Sequence, residues 1–149
     1  MIQGRIFTSV SLGLGILFCT SLVLAQSNTI EKRQKLMKSN SAASKALKAA
    51  VADKDYGTIQ SKAKVIAGNM DKLPALFPKG STSDESRAKP AIWENWDQFT
   101  DAATTVKQRA NELAEAAEGK DASQVQAKFK SLGQACGSCH KHFRAEKKK

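Results

Sequence analysis

The 149-residue chain carries 24 Lys and Arg against 14 Asp and Glu, a formal net charge of +10, and 41% of its residues are apolar. That is enough chain for one domain with a genuine core and too little for two. The basic balance favours acidic partners; no recognisable nucleic-acid-binding motif accompanies it, and no paired nucleophile and base suggests an enzyme.

Residues 1–25 read as a secretory leader. Arg5 supplies the basic start, Val10 to Leu24 the apolar run, and Val23-Leu24-Ala25 a small-residue cleavage site. The apolar run is short for a membrane span and lacks stop-transfer charges, with an uncleaved anchor as the alternative. Cys19 follows Phe18, not a small residue, which argues against a lipoprotein site. Cleavage leaves a domain of residues 26–149 without a membrane attachment. Its only cysteines are Cys136 and Cys139, and it loses only Arg5 from the basic count.

Four helices follow from the apolar spacing. The first runs from about Thr29 to Val51, capped by Asn28 or Thr29, with Ile30, Leu36, Met37, Ala43, Leu47, Ala50 and Val51 as its apolar positions. The second starts near Asp55, carries Ile59, Ala63, Ile66, Met70 and Leu73, and stops at Pro74. A loop rich in Pro, Gly and Ser runs to Pro90. In the third, Ile92, Trp96, Phe99, Ala103, Val106, Ala110, Leu113 and Ala117 keep an alternating four-three spacing until Gly119. A short turn makes the fourth antiparallel, with Val125, Phe129, Leu132, Cys136, Cys139 and Phe143 on its seam. The predicted fold is all-α, an up-down-up-down four-helix bundle with near-antiparallel packing.

The chemistry concentrates in Cys136-Gly137-Ser138-Cys139-His140, a C-x-x-C-H signature of covalent haem c attachment. Cysteines three apart share a helix face, so both thiols can add to the vinyl groups of one porphyrin edge, and His140 follows as an iron ligand. Three alternatives are weaker. A zinc site lacks an obvious fourth ligand beyond His142 or a distant carboxylate. A thioredoxin-like dithiol belongs at the start of a helix after a strand, and a plain disulfide leaves His140 unexplained. Export agrees with the haem reading, since c-type haem is attached outside the cytoplasm.

An exported four-helix chain with C-x-x-C-H near its C-terminus resembles the class II c-type cytochromes, which include cytochrome c′. Arg33-Gln34-Lys35-Leu36-Met37 looks like the family's R-Q-x-x-[LM] segment, Pro90-Ala91-Ile92-Trp93 like its P-x-I-W, and Phe143-Arg144 like its aromatic-Arg pair. The resemblance covers residues 28–149. It implies one covalently attached haem c, a periplasmic bacterial location and a possible homodimer.

Two branches differ at the iron. Cytochrome c′ is five-coordinate and high-spin, with an apolar distal side open to small gases. The low-spin branch adds a methionine from the first helix and carries electrons. The segments 73–81 and 85–90 look more like the low-spin branch, and Met37 occupies its ligand position, although some five-coordinate members also carry Met there. The expectation is therefore a periplasmic one-electron carrier with His140 and Met37 on the metal, steered to acidic redox partner proteins. The alternative is a five-coordinate haem binding NO or CO, with Met37 as packing. Arg33 is either a propionate partner or an exposed helix charge. Arg144 either sits beside the haem ligand or belongs to a basic tail with Lys141, Lys147, Lys148 and Lys149. Trp93, Trp96, Phe99, Phe129 and Phe143 are core residues, of which Trp93 and Phe143 also suit haem contact. Met70 reads as core, and His142 as exposed.

Overall fold

A computed structural model describes residues 17–83 and 85–146, with side chains from residue 28 onward. Residues 1–16 of the expected leader and the lysines at 147–149 lie outside the described residues. Helix α1 (Leu17–Asp53) is continuous through the expected start at Thr29. The reason is local: no Pro or Gly interrupts residues 17–53, so nothing obliges the helix to begin at Asn28 or Thr29.

Chain reversal after α1 uses a left-handed residue. Lys54 has φ 55°, and the Asp55 N–H donates back to the Ala50 carbonyl at 2.9 Å, closing a Schellman-type end. Asp55 then caps α2 (Tyr56–Lys72), its carboxylate accepting from the Thr58 N–H at 3.0 Å. Pro74 ends α2 and opens a single 3-10 turn, Pro74–Leu76.

The third expected helix is broken. One turn, α3 (Ala91–Glu94), precedes the long α4 (Trp96–Glu118), and Asn95 between them leaves helical geometry at φ −128°, ψ 55°. The Asn95 N–H and side-chain amide both donate to the Ala91 carbonyl, at 3.0 and 3.3 Å. This local competition for the backbone is what an Asn in a helical run does. The break leaves Ile92 and Phe99 buried but turns Trp96 outward to 37% exposure, so Trp96 is not the core residue its spacing implied.

Beyond the break, Phe99, Ala103, Val106, Ala110, Leu113 and Ala117 are all buried, as their spacing required. Gly119 ends α4, as expected, but is not its left-handed residue. It stays right-handed at φ −71°, and the next residue, Lys120, takes φ 53°. Asp121 caps α5 (Ala122–Phe143) by accepting from the Ser123 and Gln124 N–H groups. On α5, Val125, Leu132 and Phe143 are buried, whereas Phe129, Cys136 and Cys139 are only half-buried.

The long helices α1, α2, α4 and α5 form the expected four-helix bundle, with no strand among the described residues. Leu47, Ile59 and Leu113 are fully inaccessible, each contributing roughly 1.5–3 kcal/mol by burial. Packing is extensive between α1 and α2, α2 and α4, and α4 and α5, but sparse between α1 and α5. Space between those two helices is where the site lies. Among the described residues no helix is long and apolar enough to cross a membrane.

Candidate functional site

A cavity of about 620 Å³ opens between α1 and α5, well within the roughly 300–1,000 Å³ of ligand pockets. Cys136, Cys139, His140 and Phe143 line it from α5; Arg33, Gln34 and Met37 line it from α1. Its interior is apolar, with Met70, Leu73, Ile92 and Val106 among its walls. One face of each helix therefore delivers the residues that the sequence motifs grouped.

The donor chemistry suits haem c. Cys136 and Cys139 are free thiols, and burial raises the pKa of both, Cys139 to about 11 with the neighbouring Cys136 adding to the effect. Both are held as neutral S–H groups, which is the species whose sulfur and hydrogen add across a vinyl group. His140 is half-buried, and burial first, then the charges of Arg144 and Arg87, lower its pKa. The imidazole is kept neutral, the form with a nitrogen lone pair for a metal. Among the described residues no group of three or more His, Cys, Asp or Glu is placed to hold a metal ion. The zinc alternative thus has no ligand set.

The end of α5 is fixed by the loop before α3. Arg144 is extended, and an antiparallel bridge joins it to Ala88. Lys89 N–H donates to the Phe143 carbonyl at 3.0 Å, and Ala145 N–H to the Arg87 carbonyl at 2.8 Å. The Arg87 guanidinium returns two bonds to the Ala145 carbonyl, at 3.0 and 2.7 Å. Arg144 is exposed and close enough to His140 to act on it by charge. Nothing in the sequence assigns Arg87 this role; its only signal is basic charge beside the P-x-I-W run. His142 is exposed as expected, its Nδ1 2.9 Å from the Ser138 carbonyl.

Arg33 departs from the exposed-charge alternative: it is 5% exposed. Its Nε donates to the Leu76 carbonyl, Nη1 to the Ser81 carbonyl at 2.7 Å, and Nη2 to the Ser81 hydroxyl. The guanidinium carbon lies 4.1 Å from the Phe77 ring centroid. Burial lowers its pKa to about 10, so it remains a cation at neutral pH. Trp93, half-buried, donates its ring N–H to the Phe77 and Pro78 carbonyls at 3.1 and 3.0 Å. It supports the loop rather than lining the cavity. Met37 is half-buried and packed against the core; Met70 is buried and also reaches the cavity.

A family model described as Cytochrome C' matches residues 28–144. A cytochrome c′ of Rhodopseudomonas palustris is 33% identical over 134 residues, covering 86% of this chain and 89% of that protein. A cytochrome c′ of Rhodospirillum rubrum is 42% identical over 85 residues, 56% of this chain, and there the chain spans only 58% of the relative's length. The solved cytochrome c′ of Thermochromatium tepidum superimposes with a TM-score of 0.75 at 27% identity, covering 81% of this chain and 97% of its own. A further cytochrome c′ structure, described as having an unusual ligand-controlled dimer dissociation, has TM-score 0.75, 28% identity and the same coverages. Dimers therefore occur among the homologues.

These likenesses overturn the expectation of a low-spin His/Met electron carrier. Relatives and solved structures named cytochrome c′ favour the five-coordinate, high-spin alternative over the His/Met carrier. A methionine is soft and unbranched enough to fill the irregular edge of a core, and Met37 packs against the core, half-buried, on the cavity wall. With its bundle, its paired thiols and histidine on one cavity, and its match across residues 28–144, the chain belongs to the cytochrome c′ family of class II c-type cytochromes, haem-binding bacterial periplasmic proteins whose haem c is covalently attached.

Proposed function

We propose that this chain is an exported haem protein that captures a small neutral diatomic gas, NO or CO, at an iron held by His140 alone. The observation that supports this most directly is the apolar part of the cavity wall, where Ile30, Met37, Met70, Leu73, Ile92 and Val106 offer alkyl and thioether groups. Such a surface suits a neutral diatomic molecule. When bound, the haem supplies an iron with one open coordination position and a strongly coloured reporter.

The chain's own residues do the rest. Cys136 and Cys139 tether the porphyrin edge, so the group is not lost when a gas pulls on the iron. Burial, with the charges of Arg144 and Arg87 adding to it, keeps the His140 imidazole neutral. Phe143 lines the same cavity, and Trp93 holds the loop that carries Phe77. Arg33 shares its buried positive charge with a propionate while keeping its loop bonds. Met37 fills space on the α1 side. Because CO binds ferrous iron, an acidic redox partner docking on the basic surface belongs to the same reading as the electron source, with salt weakening it. Residues 1–25 direct export and are removed, leaving the protein free in the periplasm as a monomer or homodimer.

The visible spectrum of the haem-loaded ferrous protein is the test. A broad high-spin spectrum that shifts on adding CO or NO is expected. Sharp, split low-spin bands that resist CO would overturn the proposal.

A further inference from the structure

We infer that Arg33 is a positioning residue that sets the size limit of the ligand cavity, by holding Phe77 and the loop behind it in place. The inference rests on the gas-binding reading and adds to it a device for selecting ligands by length. Residues 77–83 have no helix or strand of their own. They are gripped from two sides. From α1, the three Arg33 donors take the Leu76 carbonyl, the Ser81 carbonyl and the Ser81 hydroxyl. From α3, the Trp93 ring N–H takes the Phe77 and Pro78 carbonyls. Ser81 itself is 5% exposed, and its hydroxyl donates on to the Pro78 carbonyl at 2.5 Å.

Phe77 is what this grip positions. Its ring lies under the guanidinium and packs edge-on to Phe99 at 4.9 Å; Phe99 packs edge-on to Phe143 at 5.4 Å. All four side chains line the cavity, so one wall runs unbroken from α1 to the last turn of α5. Edge-to-face rings resist sliding because the electrostatics of each ring fixes the other, and the cation over Phe77 adds to the hold. None of the ion pairs among the described residues uses Arg33. Removing it would orphan the Leu76 and Ser81 carbonyls, which must then reach water by opening the loop. Phe77 would leave the wall with them. A lysine, with one point charge in place of a planar fork, cannot take three acceptors at once.

The test uses the haem-loaded ferrous wild type with Arg33→Gln, Arg33→Lys and Ser81→Ala. Each is titrated with CO and with methyl, ethyl and n-butyl isocyanide, and hydrogen exchange is followed at residues 76–83. Wild type is expected to bind CO and to reject the longer isocyanides steeply. In the Arg33 variants the discrimination between methyl and butyl isocyanide should fall by roughly tenfold or more, with the loop amides exchanging faster. Ser81→Ala should do the same to a smaller degree, and it carries the test with Arg33→Lys if Arg33→Gln does not fold. Unchanged discrimination in the folded variants overturns the inference, even where the loop amides exchange faster. Refusal of CO by the wild type overturns the gas-binding reading and this inference together.

Discussion

Replacing Met37 by alanine separates a packing methionine from a metal ligand. A fully buried methionine cut to alanine costs about 2–5 kcal/mol. Met37 is half-buried on the cavity wall, so roughly half of the lower range applies, about 1–2 kcal/mol. In a domain of this size that lowers the melting temperature by about 4–8 °C. The haem spectrum should not follow: band positions of the oxidised and reduced protein stay put, and CO affinity changes only a few-fold. Thermal unfolding followed at the haem band, with spectra and a CO titration on the same sample, measures all three. A variant that turns from low-spin to high-spin, with CO binding raised a hundredfold or more, would show that Met37 had been on the iron and would refute the reasoning.

Other consequences can be checked on stability and attachment. Lys120→Gly should stabilise the protein by about 0.5–1 kcal/mol, because Lys120 is the residue at φ 53°; Gly119→Ala should be neutral or slightly stabilising, since its added carbon meets the Ala116 carbonyl at an ordinary 3.7 Å. Urea unfolding with the opposite ranking would mean that Gly119 takes the left-handed position. Glu112 bonds Lys128 at 3.0 Å and Arg109 at 2.7 Å, and these partners lower its pKa below 4.5. Its contribution is therefore present above about pH 4.5 and lost as pH falls through the lowered value. Glu112→Gln should cost about 0.5 kcal/mol at pH 7, a cost that shrinks as acid protonates the carboxyl; a loss independent of pH would argue against the ion pairs. Either Cys136→Ser or Cys139→Ser should keep haem through denaturing electrophoresis by one thioether, and the double variant should lose it. Haem staining that survives the double variant would contradict attachment at these thiols.

Much of this architecture is legible in the amino-acid sequence. The regular spacing from Phe99 to Ala117 and the stop at Pro74 reflect purely local rules, helix period and the missing proline N–H, so sequence suffices there. Three features are not legible. Asn95 breaks a helix whose apolar period runs straight through it, and a period cannot report where a backbone amide finds a better partner. Lys120, not Gly119, takes the left-handed turn, although glycine is the usual residue there. Arg33 resembles surface charge because its neighbours in the chain, Glu31, Lys32, Gln34 and Lys35, are polar and exposed. Only the tertiary placement of Leu76 and Ser81 gives its guanidinium buried acceptors. At the iron, the motif in α5 points to the tethers and the proximal histidine through short spacing. The distal side depends on how α1 faces α5 across the cavity, which short spacing does not report.

The most direct measurement is electron paramagnetic resonance of the oxidised, haem-loaded wild type at neutral pH. A high-spin axial ferric signal is expected from an iron with His140 as its single protein ligand. A rhombic low-spin signal, from an iron with a protein group on both faces, would contradict the account.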